Sequence, residues 1–155
     1  MPSRTMRALC ATALSAAALA VAAPGLAQAD GTQDPAYSGP VTPCDVENTP
    51  RSGGFASEPQ NFPKSIGRTG PTSFVLNFNA EDEPDKFDVI YQNKQIATTG
   101  WRGSESANKF NRPLSGPGSG SIRVAVPRGS SSVVTVRVST DSESTVWHFT
   151  AQCPN

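Results

Sequence analysis

Val133-Val134-Thr135-Val136-Arg137-Val138 alternates valine with polar residues, valine at 134, 136 and 138 and Thr135 and Arg137 between them. A period of two is the signature of a β-strand with one buried face, and valine and threonine suit a pleated surface better than a helix. Working outward, the same alternation recurs at Ile122, Val124 and Val126, separated from the valine run by the turn Pro127-Arg128-Gly129-Ser130. Beyond the turn Asp141–Ser144, it returns in a last strand from Thr145 that puts Trp147, Phe149, Ala151 and Cys153 on one side. Upstream, Phe74, Leu76 and Phe78 share a face, and Phe87, Val89 and Tyr91 repeat the arrangement after the acidic turn Ala80 to Lys86. Gln92-Asn93-Lys94 reads as a tight hairpin turn with Asn at a positive-φ position, and Gln95 to Thr99 as its return strand.

No segment carries apolar residues at helical spacing over two turns. Six or more short strands separated by turn signals predict an all-β fold, a single antiparallel β-sandwich of jelly-roll or immunoglobulin-like type, over residues 69–155. Residues 30–68 hold prolines at 35, 40, 43, 50, 59 and 63 and show no sustained period, so they read as an irregular segment. Within it Val41 to Val46 is a possible edge strand, and Phe55, Phe62 and Ile66 are the side chains available for docking.

Arg4 and Arg7, the apolar stretch Ala8 to Ala23, Pro24-Gly25 and the small-residue triplet Ala27-Gln28-Ala29 follow the order of a secretory signal peptide covering residues 1–29. The apolar stretch falls short of the roughly 20 residues that span a bilayer. The expectation is therefore a secreted, extracellular chain with no membrane attachment after cleavage. Removal of 29 residues from 155 leaves 126, the size of one domain. Two of the thirteen basic residues leave with the signal, so eleven basic groups face thirteen acidic ones. A chain of net charge −2 lacks the basic stripe that nucleic acid requires.

Cys44 and Cys153 are the two cysteines of that mature chain, one near each end, and in an oxidising compartment they are expected to pair. Strand parity points Cys153 toward the core beside Trp147.

The pieces Pro84-Asp85-Lys86-Phe87, Thr99-Gly100-Trp101 and Trp147-His148-Phe149-Thr150-Ala151-Gln152-Cys153-Pro154 resemble β-sandwich modules found in bacterial secreted and surface proteins. Those modules show Pro-Asp-Arg-Phe, a Tyr-x-Gly hairpin, Thr-Gly and a closing Trp-x-Phe-x-x-x-Cys-Pro. The resemblance implies a fold and an extracellular setting and no defined activity. Gln92-Asn93 stands where the modules carry Asp-Gly, and Thr98 where they often carry Asp before Thr-Gly. Both departures remove carboxylates, so the resemblance gives no support for calcium.

The candidate sites are few. His148 is the single histidine of the mature chain, and no serine lies in a nucleophile-elbow pattern, so a catalytic triad has no source. With both cysteines bonded, zinc lacks ligands. Glu81, Asp82, Glu83, Asp85 and Asp88 gather hard oxygen ligands suited to calcium, with a solvated acidic turn as the plainer account. Trp101, followed by Arg102, Asn108 and Arg112 in a polar loop from Gly100 to Gly120, has the composition of a ligand-binding face, or else Trp101 folds back to cap the strands. The expected function is a non-enzymatic module binding a glycan, an envelope component or a protein partner. An inhibitor or effector acting through residues 30–68, and an extracellular hydrolase, are the alternatives.

Overall fold

The computed structural model describes residues 39–48, 59–142 and 145–155. The signal segment, Phe55 and the start of the Pro-rich segment lie outside them. Among the described residues the protein is all-β, with strands β1 (Thr42–Pro43), β2 (Gln60–Ser65), β3 (Thr72–Asn79), β4 (Asp85–Tyr91), β5 (Lys94–Arg102), β6 (Ser119–Val126), β7 (Val133–Thr140) and β8 (His148–Ala151), and one 3-10 turn at Glu105–Ala107. They form two sheets, ordered β1-β2-β7-β4-β5 and β6-β3-β8. All pairings are antiparallel except that of the two-residue β1, which runs parallel to β2.

The alternating positions meet in one hydrophobic core drawn from both sheets: Phe74, Leu76 and Phe78, Phe87, Val89 and Tyr91, Val124 and Val126, Val134, Val136 and Val138, and Trp147, Phe149 and Ala151. Phe62 sets its ring edge-on against Trp147 and Phe149, at 5.3 and 5.5 Å. The hairpin between β4 and β5 places both Gln92 and Asn93 at positive φ, 47° and 64°. That is the backbone of the two-residue turns whose twist matches paired strands.

The proline-rich segment departs from expectation. Its end, Gln60–Ser65, is a full strand, and Phe62 and Ile66 are core residues. Gly39 N donates to Asn61 O and Cys44 N to Ser65 O, so the odd-numbered groups of β2 face the β1 edge. The N–H that Pro63 lacks would point to that edge, so its absence leaves the β2–β7 ladder intact. Further upstream, the chain pairs with β2 at Thr42–Pro43 and then crosses to the other sheet. There Asp45 N donates to Ala151 O, and Asn48 and Phe149 exchange a pair of hydrogen bonds.

Two devices hold this crossing. The Cys44–Cys153 disulfide spans Cα atoms 5.1 Å apart, and Asp45 Oδ1 accepts from Cys153 N. Cys44 is buried, but Cys153 lies beyond the end of β8 and is exposed, so only half of the bond faces the interior. The second device is Lys64, which shares the core face of β2 with Phe62 and is fully buried. Its ammonium donates to Val46 O at 2.8 Å and Pro43 O at 3.4 Å and lies 5.7 Å from the centre of the Phe149 ring. Burial lowers its pKa.

Replacing Cys44 and Cys153 by serine should lower the unfolding free energy by about 2–5 kcal/mol, given the 109-residue separation. Urea unfolding of the two proteins checks this. Lys64→Met keeps the stem and removes the donors to two carbonyls. A loss of about 1–3 kcal/mol is expected in the same assay.

Candidate functional site at the loop end

Strand register gathers three connections at one end of the molecule. Asn79 pairs with Ser119 and His148, and Asp85 with Arg102 and Thr140. The β3–β4 turn (80–84), the β5–β6 loop (103–118) and the described parts of the β7–β8 connection (141–142 and 145–147) therefore emerge together. The acidic turn and the Trp101 loop, separate in sequence, become one surface. Ser104 N donates to Asp82 O, and Ala80 N to Gly118 O. A Cβ at Gly118 would strike the Glu81 carbonyl, and one at Gly103 would crowd Asp82 O and Pro84, so glycine permits the close approach.

Trp101 lies within β5, opposite Lys86 on the outward face of its sheet, rather than in a loop. It is half-buried. The Arg112 guanidinium sits 4.4 Å from its ring centre and Lys86 Nζ 5.7 Å away. Arg112 is itself clamped, donating through Nε to both oxygens of Asp141 (3.0 and 2.9 Å) and through Nη2 to Oδ1 at 2.7 Å. A forked guanidinium–carboxylate pair of this kind fixes orientation as well as charge. Asn108 closes the loop on itself. Its Oδ1 accepts from Arg112 N at 2.8 Å, while its Nδ2 donates to Arg112 O at 2.9 Å. Arg102 donates to Thr99 O and stacks its guanidinium 5.3 Å from the Phe78 ring centre. All four sequence-selected residues thus shape the loop end.

The residue presented outward is one that sequence reasoning passed over. Phe110, at the apex of the Asn108–Arg112 turn, is 62% exposed. Its signal was visible, a lone phenylalanine between Lys109 and Asn111 in a stretch without apolar periodicity.

The five acidic residues disperse. Glu81 Oε1 faces His148 Nε2 at 3.7 Å, Glu83 faces Lys109 at 3.9 Å, and Asp88 pairs with Lys86 at 3.1 Å. Among the described residues, the one trio of metal-type ligand atoms lying within 4.8 Å of one another is Cys44, Asp45 and Cys153, and its sulfurs are bonded to each other.

Asp85 differs from the rest. It has the core parity of Phe87, Val89 and Tyr91 and is fully buried. Thr145 Oγ1 donates to its Oδ2 at 3.0 Å, and Oδ1 has no partner among the described residues. Burial pushes its pKa up to about 8. The Thr145 hydrogen bond opposes the shift, and the negative charges of Glu83 and Asp141 add to it.

Arg112→Ala should uncover Trp101 while leaving the core intact. The expected result is a red-shifted and more readily quenched tryptophan emission, with a stability loss of about 1–2 kcal/mol. Among the described residues no helix is long and apolar enough to cross a membrane. Comparison with known protein families, with curated proteins and with solved structures finds no match to this chain.

Proposed function

We propose that the protein is a secreted, non-enzymatic binding module of the jelly-roll β-sandwich type that engages a protein partner through its loop end. The strand order supports the architectural part. If the segment bridging to Phe149 is counted as the first strand, one sheet runs 1-8-3-6 and the other 2-7-4-5. That is the order of two Greek keys wrapped into a jelly roll. Secretion is supported by the signal-like leader and the disulfide, and the resemblance to bacterial secreted modules agrees with that setting.

The observation that carries the binding reading is Phe110, an exposed aromatic on a turn held rigid from four sides by Asn108, Arg112, Asp141 and Trp101. None of the residues of the 3-10 turn leading to it is buried, so core packing does not explain its shape. A pre-ordered aromatic gains affinity because its ordering cost is already met by folding. Phenylalanine has no polar handle for sugar hydroxyls, and the Trp101 ring is partly covered, so the arrangement favours an apolar socket on a protein over a glycan. Gly39–Asn48 spends its hydrogen bonds on β2 and β8, which favours the loop end over the proline-rich segment as the partner-facing surface.

Phe110→Ser should leave the melting temperature unchanged and weaken partner binding about tenfold or more, the range expected for withdrawing a buried phenylalanine. Crosslinking at position 110 to surface proteins of producing or neighbouring cells, beside polysaccharide arrays, checks this. Equal binding by the variant and the parent protein, or binding to polysaccharide alone, would overturn the reading.

A further inference from the structure

Residues 42–48 cover the margin between β2 and β8, but at the opposite margin β5 and β6 share no ladder. Ile96 on β5 and Ile122 on β6 pack against the core there and are only half-buried. Which backbone groups β6 leaves open follows from its ladder with β3. Ala80 N donates to Gly118 O in the same register that pairs Phe78 with Gly120, Leu76 with Ile122 and Phe74 with Val124. Antiparallel pairs alternate between bonded and non-bonded, so the even-numbered residues of β6 turn their backbone groups to β3. Gln152 N donates to Val75 O, which agrees: the odd-numbered residues of β3 face β8. Ser119, Ser121, Arg123 and Ala125 therefore direct N–H and C=O away from the sheet, and no described hydrogen bond takes any of these groups.

The other strand edges are protected. Gly39 and Cys44 bond to β2, and Asp45 and Asn48 to β8. β5 is broken by register shifts against β4, and its Trp101 O and Thr99 O accept from Ser115 N and Arg102 Nε. β6 holds one register with β3 from Ser119 to Val126, contains no proline or lysine, and has its one charged side chain, Arg123, drawn back to Ser73 Oγ. A straight, unpaired row of this kind is a template for another strand.

We propose that β6 is a docking edge for a second copy of this chain, the two β6 strands pairing antiparallel about a twofold axis at Ile122. The strand is complementary to itself in that register. With Ile122 opposite Ile122, Ser119 meets the second copy's Ala125 and Ser121 its Arg123, so every outward residue of both strands exchanges a pair of hydrogen bonds. A slip of two residues either way leaves outward groups unpaired, and one of those slips sets Arg123 against Arg123. The non-bonded pairs bring side chains closest. Here they are Ile122 with Ile122, which covers the half-buried isoleucine, and Val124 with Gly120, which has no side chain to obstruct it. The two three-stranded sheets become one continuous sheet. An interface made mainly of one strand pair is small, so the dimer is a weak one. It needs nothing from Phe110, and the two readings fail separately.

The test is sedimentation equilibrium of the oxidised chain from Asp30 onward, from low micromolar to millimolar concentration, for the parent, Ser121→Glu and Ser121→Lys. Ser121 is exposed, so both variants keep the fold. The average mass should rise from monomer toward dimer. Glutamate opposite Arg123 should tighten the dimer and lysine should weaken it, each by about two- to thirtyfold for the two symmetry-related cross-strand pairs. In the parent protein, amide exchange at 121, 123 and 125 should slow as concentration rises, while 122 and 124, already bonded to β3, should not respond. A monomer throughout that range, charge variants that act in the same direction, or odd-numbered amides that exchange equally fast at every concentration would each overturn the proposal.

Discussion

The crossing of the first segment from one sheet to the other is the constraint on which the remaining structure depends. Two sheets that share a core leave open margins, and at one margin β2 and β8 would each present an unpaired backbone edge over Phe62 and Phe149. Residues 42–48 close that margin, pairing first with β2 and then with β8. The two-residue β1 could not hold itself there by ladder bonds alone. The disulfide ties it from outside, and the Lys64 ammonium ties it from within by taking two of its carbonyls. A lysine in a core is tolerable here because its charge ends on backbone oxygens and against an aromatic face.

Two of the buried ionisable groups, Lys64 and Asp85, follow from this geometry of margins and ends. Lys64 lies where a side margin needs donors for a crossing chain, and Asp85 lies where the core meets the loops. Each occupies an inward position at which the alternation would ordinarily place an aliphatic side chain. The two were hard to read for the same reason. Charged residues next to turns and prolines look like surface, and only the parity of Phe62 with Lys64, or of Asp85 with Phe87, places them inside.

The central strands were legible because apolar side chains fall on every second position through most of β3, β4, β6 and β7, and the pairing of Cys44 with Cys153 followed from their number and from the expected compartment. β2 was not legible, since Pro63 and Lys64 break its pattern for reasons that appear only once the β1 edge and the crossing segment are in place. Parity carried the last strand as far as Ala151 but failed at Cys153, because the strand ends before it and the register no longer governs its direction. The loop end was half visible. Trp101, Arg102, Asn108 and Arg112 mark the scaffold, whereas the outward position of Phe110 depends on the Asn108–Arg112 closure and on Asp141, contacts no local pattern encodes.

The tie between Cys44 and Cys153 also sets the mechanics of the domain. Both anchor points lie at the same margin, one just inside each end of the described chain. A force applied between the two termini passes through the sulfur–sulfur bond rather than through the hydrogen-bonded strands. The loops and the core between residues 44 and 153 are thereby shielded from tension, so a chain held at one end and pulled at the other would keep its loop end folded. Reduction would redirect the same load onto the short β1–β2 pairing, and the margin would open first.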